Sequence, residues 1–492
     1  MRLDALLPND KRLSPAMATI DIRGLSADSR KVKSGYLFAA LAGVSGVSAH
    51  GRDFIPEAVA QGAAVILSDS EVPSIQVPLI IADNPRQELA YMASRFFDYR
   101  PENFACITGT NGKTSTANFL RQLWGACGYA AAALGTLGVE ADHIGETLSK
   151  DWHHTTADPV QLHSVLRDLY AYDITHLVLE ASSHGLAQHR LDGIRPQVAA
   201  FTNLTRDHLD YHETYAAYFG AKCRLFTDVL ADNGTAIIHI GSEVGQAMVL
   251  ATQNSGRKVI TISREEADIS FTPMACTQTG TEARLTYQGK THNINVPLIG
   301  AFQIDNLAVA LGMALAFGAD LDTLLKACAT IKPARGRMQY IGRTKKGAAI
   351  YVDYAHTPDA LENALASLRA HTQKQLHIVF GCGGDRDKGK RPEMGAVATR
   401  LADTIIITDD NPRTENADTI RTSIIESAPQ AKNIGDRAEA IATALNQAQK
   451  DDIVLIAGKG HETRQFIGDT SYPFDDAAHA LAQIEKGGNK DV

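Results

Sequence analysis

Phe104-Ala105-Cys106-Ile107-Thr108-Gly109-Thr110-Asn111-Gly112-Lys113-Thr114-Ser115 is the stretch on which the fold turns. The apolar run Phe104 to Ile107 predicts a buried strand, and Thr114 to about Gly125 predicts a helix. The glycine-bearing turn between them has the build of a phosphate-binding loop. Glycines let backbone N–H groups approach phosphate oxygens, the helix N-terminus adds a positive dipole end, and Lys113 adds a full charge. Thr114 then offers a hydroxyl to the magnesium ion that accompanies ATP. The general pattern G-x-x-x-x-G-K-[ST] would put its first glycine at position 107, which is Ile107. The loop is therefore the variant Gly109-Thr110-Asn111-Gly112-Lys113-Thr114. Its plain alternative, a glycine-rich turn with a surface lysine, is disfavoured by the strand–loop–helix context.

Two more apolar strands lie downstream. Ile174 to Leu179 delivers Glu180, followed by Ala181-Ser182-Ser183-His184-Gly185. Val198 to Thr202 delivers Asn203 and then Arg206-Asp207-His208-Leu209-Asp210. In open parallel sheets, ligands gather beyond the carboxyl ends of the strands. Lys113 and Thr114, Glu180, and Asp207 with His208 are thus expected at one edge. A carboxylate there suits a magnesium site; a solvated loop acid and a loop histidine without a metal role stay open as alternatives. Lys222, before Cys223-Arg224-Leu225-Phe226, reads as one more helix lysine. From 227 to 297 the pattern predicts strands at Thr235 to Ile240, Val259 to Ile262, Ala283 to Tyr287 and Ile294 to Pro297. Gly300 to Asn306 opens a helix, Leu307 to Phe317; Asn306 either reads an adenine edge or is a first-turn residue without a ligand. Lys332-Pro333-Ala334-Arg335-Gly336-Arg337 looks like a hinge.

A chain of 492 residues is too long for one core. Three blocks are expected, 1–100, 101–333 and 334–492. The first alternates strands (Gly35 to Leu41, Ala63 to Leu67, Leu79 to Ala82) with helices (Phe54 to Gln61, Arg86 to Phe97), which implies a small α/β domain. Asp28-Ser29-Arg30 is its candidate site, or simply a turn. The third block repeats βα units, with strands at Ala348 to Val352, Leu376 to Phe380, Thr404 to Thr408 and Ile453 to Ile456. Their loops carry Asp353, Arg386, Asp410, Arg413 and Glu462. Such mixed charges suit a zwitterion, because arginines pair with carboxylates and acids pair with an ammonium. A second nucleotide site, or loops without a ligand, are the alternatives.

Bulk composition excludes several classes. Apolar residues make up 44% and charged residues 21%, as in ordinary globular proteins. The net charge is 48 − 56 = −8, so general nucleic-acid binding is not expected. Six scattered cysteines without a C-x-x-C pair argue for reduced thiols in a cytosolic protein, not a disulfide framework or zinc site. Met1-Arg2-Leu3-Asp4 does not open a signal peptide, and no apolar run reaches the about 18 residues of a membrane span.

Taken together, the motifs resemble those of the Mur ligases, the ATP-dependent amide ligases of peptidoglycan precursor synthesis. The resemblance covers nearly the whole chain. It is carried by Gly109 to Thr114, Glu180-Ala181-Ser182-Ser183-His184, Asn203 to Asp210, and Gly336-Arg337 with Asp353-Tyr354-Ala355-His356. Asp410-Asn411-Pro412-Arg413 and Gly458-Lys459-Gly460-His461-Glu462 are similar to the signature of the member that adds meso-diaminopimelate. The implied fold is α/β in three domains: a smaller N-terminal UDP-sugar-binding domain, a central P-loop-type ATPase sheet, and a C-terminal Rossmann-like, doubly wound, amino-acid-binding domain. The implied reaction joins meso-2,6-diaminopimelate to the D-glutamate of a UDP-N-acetylmuramoyl dipeptide. ATP phosphorylates the glutamate carboxylate, the amine attacks the acyl phosphate, and phosphate leaves. The protein's task would be positioning and charge neutralisation.

The resemblance also implies residue roles. Gly109, Thr110, Asn111, Gly112, Lys113, Thr114 and Ser115 would hold the ATP phosphates, with Asn306, Arg337 and Asp353 on the nucleotide side. Thr114, Glu180, His208 and Lys222 would serve magnesium, Lys222 as a carbamylated lysine; Lys113, Glu180, His208 and Lys222 would be catalytic. Ala27, Ser29, Thr155, Thr156, Ser182, Gln188 and Arg190 would line the UDP-sugar dipeptide. Arg386, Asp410, Asn411, Pro412, Arg413, Gly458 and Glu462 would meet diaminopimelate. Substrates are small molecules and a monomer is expected. Departures from the family pattern are Ala27, the loop Val44 to Ala49, His50, His154, Gln303, and the absence of proline before Gly336. A folylpolyglutamate-synthase-like ligase is the alternative enzyme, and a non-catalytic binding protein on the same fold is the third reading.

Overall fold

Three sheets, each fed by its own stretch of chain, organise the molecule in a computed structural model. It describes all residues except 8–12, 44–49, 74, 142–143, 150–151, 153, 278–279 and 487–492. The departure expected at Val44 to Ala49 lies outside the described residues.

The central sheet has ten strands. Their order is Lys290–Val296, Gly280–Tyr287, Ile269–Thr277, Lys258–Ser263, Thr235–His239, Val198–Phe201, Asn103–Thr108, His176–Glu180, Ala131–Gly135 and Gly138–Ala141. The strand before the phosphate loop, Asn103–Thr108, lies between those that deliver Glu180 and Asn203, and both neighbours run parallel to it. Ile107 pairs in register with Glu180 and with Ala200. Along this strand Ala105 and Ile107 enter one core while Phe104 and Cys106 enter the other, the period-two alternation of a strand covered on both faces. Helices Lys113–Ala126 and Ala301–Ala316 pack together on the first face, through fully buried Phe119, Leu120, Trp124, Leu307 and Leu311.

Several elements differ from the sequence reading. Ala131–Gly135 is a strand although its alanines have poor β propensity; burial between neighbours overrides that preference. Ile269–Thr277 is a strand despite Pro273, where the register shifts before Ala275. Glu243–Asn254 is a helix capped by Ser242, between two of the expected strands and not itself expected. Helix Ala301–Ala316 starts six residues before Leu307, so Asn306 sits within it.

The N-terminal sheet is four parallel strands, Gly24–Ser26, Tyr36–Ala39, Ala63–Ser68 and Leu79–Ile81. The C-terminal sheet runs Gln339–Arg343, Ala349–Asp353, Ile453–Ala457, Leu376–Phe380, Thr404–Ile407 and Lys432–Asn433, parallel except for its first pair. Buried Arg437 forms a two-pronged ion pair with Asp476 and donates to the carbonyls of Asp409 and Ala457, bracing two of its strand ends. The connection into this block is pinned at its near end. Asn118 and Gln122 of the phosphate-loop helix donate to the Lys332 carbonyl at 2.8 Å each, and the Lys332 amide donates to Gln122 Oε1 at 2.9 Å. At its far end Gly336, with φ of +66°, lies against the Gly460–His461 peptide, where a Cβ would lie 2.2 Å from the His461 nitrogen. No helix among the described residues is long and apolar enough to cross a membrane.

Candidate active site

The phosphate loop is held by its neighbours as well as by its own lysine. Asn203 Oδ1 accepts from the Asn111 amide at 3.0 Å, its Nδ2 donates to the Asn111 carbonyl at 3.2 Å, and Thr202 Oγ1 donates to that same carbonyl at 2.7 Å. Gly112 takes φ of +86°, and a Cβ there would lie 2.2 Å from Asn306 Oδ1. Glycine is required at that point for both reasons. Lys113 Nζ folds back onto the carbonyls of Gly109 and Thr110, 2.9 Å each. Burial lowers its pKa, while Glu180 and Asp207 oppose the shift.

Glu180 is 2% exposed and fully engaged. Its Oε2 accepts from Thr114 Oγ1 and Thr136 Oγ1, both at 3.1 Å, and its Oε1 accepts from the Thr136 amide at 3.0 Å. Gly135 makes room for it, since a Cβ would lie 2.0 Å from Oε1. Lys222, 1% exposed, donates to the Gly109 carbonyl at 2.8 Å and lies 4.6 Å from the Tyr218 ring centroid. Burial and then the nearby Lys113 push its pKa well down, against the pull of Asp207. His208, with φ of +53°, sets its Nε2 3.4 Å from Asp207 Oδ2 and its ring edge-on to His184. Burial lowers the pKa of His208, and that of His184 to about 4.

Lys113, Thr114, Thr136, Glu180, Asn203 and His208 line a cleft of about 450 Å³ between the central sheet and the third block. The third block contributes Arg337, Asp353, Tyr354, His356 and Asp359. The Arg337 guanidinium lies 4.2 Å from the Tyr354 ring centroid. Asp353 accepts from the amides of Met338 and Ala355, and burial raises its pKa. Asn306 donates to Gln303, which donates to the Arg337 carbonyl, so helix Ala301–Ala316 is linked to the connection between blocks. Asn111 of the phosphate loop donates to Asp359 at 3.2 Å.

Residues 21–106, 107–314 and 336–460 match three family models, described as Mur ligase family, catalytic domain; Mur ligase middle domain; and Mur ligase, glutamate ligase domain. The chain belongs to the Mur ligase family. A relative from Zymomonas mobilis, named UDP-N-acetylmuramoyl-L-alanyl-D-glutamate--2,6-diaminopimelate ligase, is 44% identical over 96% of each chain. A solved structure of a protein with the same name covers 100% of both chains at 34% identity, with a TM-score of 0.72. Mycobacterium tuberculosis folylpolyglutamate synthase, complexed with ADP and AMPPCP, matches at 17% identity and a TM-score of 0.62, a likeness of fold alone. As in Mur ligases generally, the chemistry is ATP-dependent ligation, and the three-domain α/β fold agrees with that expected.

Within this Mur ligase, the remaining expected residues fall into separate groups. Thr156 Oγ1 donates to the Glu180 carbonyl and accepts from the Ser182 amide. Arg190 donates to Gln188 Oε1 and to the Thr156 carbonyl, and Gln188 donates to Tyr211. Thr155 contacts Thr136 at 3.0 Å. These five form one polar run beside Glu180. Ala27 and Ser29 sit apart in the first block, where Ser29 donates to Glu57 at 2.6 Å. Asp410, Asn411, Pro412, Arg413, Gly458 and Glu462 form a third group on adjoining loops. A Cβ on Gly458 would lie 2.7 Å from Asp410 Oδ2, and Asn411 donates to Glu462 at 2.8 Å. Arg413 donates to the Gly384 carbonyl at 2.7 Å, and Arg386 stands exposed on the loop beside it.

Sequence reasoning missed several cleft residues. Thr136 follows the alanine-rich strand that was not recognised. Arg264 pairs with Asp305 through two bonds of 2.8 and 2.7 Å, beside His239, at the ends of two central strands. The polar ends of strands Thr235–His239 and Lys258–Ser263 were the available signal, unused because their place in the sheet order was unknown.

Proposed function

We propose that this chain joins meso-2,6-diaminopimelate to the D-glutamate of UDP-N-acetylmuramoyl-L-alanyl-D-glutamate at the expense of ATP, in the cytoplasm and as a monomer. The observation that carries the reading is the 44% identity, across 96% of each chain, to a relative named for that ligation. Block 1–100 would bind the UDP-sugar, 101–333 ATP, and 334–492 the amino acid.

ATP fits the loop: Gly109 and Gly112 leave its floor without side chains, and Lys113 stands ready to leave two backbone carbonyls for phosphate oxygens. Magnesium also fits. Among the described residues no three His, Cys, Asp or Glu side chains converge on a closed cage. Magnesium takes few protein oxygens, completing its shell with phosphates and water. Thr114, Glu180, His208 and a carbamylated Lys222 would hold it. When bound, it neutralises charge on the phosphoryl oxygens. The burial of Lys222 against a backbone carbonyl favours the neutral amine that carbamylation requires.

The chain's own work is positioning. Lys113 and Arg337 bring positive charge to the transferring phosphoryl group. Thr155, Thr156, Ser182, Gln188 and Arg190 would hold the dipeptide so that its glutamate carboxylate faces that group. Asp410 and Glu462 would pair the incoming ammonium, and Arg386 and Arg413 the distal carboxylate that lysine lacks. Loss of that pairing leaves a fixed charge without a partner, which penalises lysine. The test supplies ATP, magnesium, the UDP-muramoyl dipeptide and either diaminopimelate or L-lysine, and weighs the product. A tripeptide from diaminopimelate alone supports the reading. Product from lysine alone overturns the specificity, and product from neither overturns the function.

A further inference from the structure

Immediately after Gly458-Lys459-Gly460-His461-Glu462 the chain forms a hairpin, Arg464–Ile467 with Thr470–Pro473. Its first strand and turn grip the loop Asp410-Asn411-Pro412-Arg413 through four hydrogen bonds. Gln465 Nε2 donates to the Asp410 carbonyl at 2.7 Å, and the Phe466 amide donates to Asn411 Oδ1 at 3.0 Å. The Arg413 amide donates to the Phe466 carbonyl at 3.1 Å, and the Gly468 amide donates to the Arg413 carbonyl at 2.7 Å. Arg413 itself has φ of +51°, a conformation that L side chains rarely adopt. Both of its backbone groups are bonded to the hairpin, which is what holds it there.

Lys459 sits at the root of this hairpin and is 0% exposed. Its ammonium donates to Asn411 Oδ1 at 3.2 Å, Glu462 Oε2 at 3.1 Å and the Arg464 carbonyl at 2.7 Å. One buried cation thus ties the loop, the acid and the hairpin together.

We propose that hairpin Arg464–Pro473 and buried Lys459 form a clasp that holds the Arg413 guanidinium and the Glu462 carboxylate in place to receive an α-amino acid bearing a distal carboxylate. The proposal rests on the reading of this loop as the diaminopimelate site. Lys459 and Gln465 are positioning residues: they act through Asn411, Glu462 and Arg413. Recognition by a fork of fixed donors discriminates only if the fork cannot swing.

The test uses the full chain and compares kcat/KM for diaminopimelate and for L-lysine, together with KM for ATP and the thermal midpoint. Arg413→Ala is the control for the loop reading. Lys459→Met is expected to lower kcat/KM for diaminopimelate about 10- to 100-fold, as loss of a charged hydrogen-bonding hub would. Gln465→Leu is expected to lower it about fivefold, for one neutral bond. Both should erode the preference for diaminopimelate over lysine and leave KM for ATP within about twofold of the parent, a single-bond tolerance. If Lys459→Met does not fold, half-buried Gln465→Leu decides. Equal losses toward ATP, dipeptide and amino acid would overturn the clasp as a specificity device. An unchanged preference in both variants, with Arg413→Ala losing it, would overturn the clasp and leave the loop reading standing. An unchanged preference in Arg413→Ala would overturn both.

Discussion

Thr136→Val probes the Glu180 carboxylate with little change of shape. The substitution swaps a hydroxyl for a methyl group and leaves the backbone amide, which still donates to Oε1 at 3.0 Å. What goes is the 3.1 Å bond to Oε2 and the 3.0 Å contact with Thr155. A hydrogen bond to a charged group contributes about 1.5–3 kcal/mol, which is about tenfold to 150-fold in an equilibrium constant. Glu180 is the carboxylate proposed to serve magnesium, so the loss should appear in the magnesium dependence of the ligation rate. The assay titrates magnesium at saturating ATP and dipeptide for the parent, Thr136→Val and Thr136→Ser. The valine variant should need more than about ten times the magnesium for half-maximal rate, or lose a comparable factor in kcat. The serine variant keeps the hydroxyl and should stay near the parent. A folded valine variant with parental kcat and magnesium dependence would refute the claim that Thr136 orients Glu180.

Lys222→Met should abolish ligation; with the parent enzyme, stripping carbon dioxide should lower activity and bicarbonate should restore it. Activity indifferent to bicarbonate would count against carbamylation. Gly112→Ala places a Cβ 2.2 Å from Asn306 Oδ1 at φ of +86°. The left-handed backbone alone costs about 1–2 kcal/mol, so ATP affinity measured by calorimetry should fall at least fivefold, and retained affinity would refute the steric argument. Burial, then Arg100, pushes the pKa of His163 down to about 3 from 6.5. The unfolded chain binds that proton first, so this group's contribution is present above about pH 6.5 and lost as pH falls toward about 3. His163→Leu should therefore flatten the acid side of the curve of thermal midpoint against pH; an unchanged slope there would count against it.

Legibility tracked how local the determining physics was. The phosphate loop was readable because strand, glycines, lysine and helix are consecutive. Glu180 and Asn203 were readable as strand ends, and their place at the same sheet edge as the loop followed from the parallel-sheet rule before any contact was known. Thr136 was not readable, because its strand Ala131–Gly135 forms through burial against His176–Glu180 and not through its own propensity. Lys222 on residue pattern alone was a helix lysine. Its meaning lies in desolvation by Tyr218, one helical turn away, and by the loop carbonyl of Gly109, more than a hundred positions distant. The clasp around Arg413 depends on a hairpin whose exposed Phe466, Ile467 and Tyr472 gave no buried pattern to find.

The pinned connection at Lys332 bears on how many ways the third block can move. Asn118 and Gln122 fix the chain up to Lys332, and Pro333 has only one soft dihedral. At the other end Asp353 holds the Met338 amide. Only the four residues Ala334 to Arg337 lie between these two fixed points, and Gly336, with φ of +66°, supplies the left-handed turn within them. Freezing one residue costs about 1–2 kcal/mol of conformational entropy. A joint this short has little disorder to surrender, so bringing Arg337 and Asp353 onto a nucleotide costs far less than it would on a long tether. The fixed end also lies on the helix that Lys113 begins, so the pivot and the phosphate loop share one rigid body.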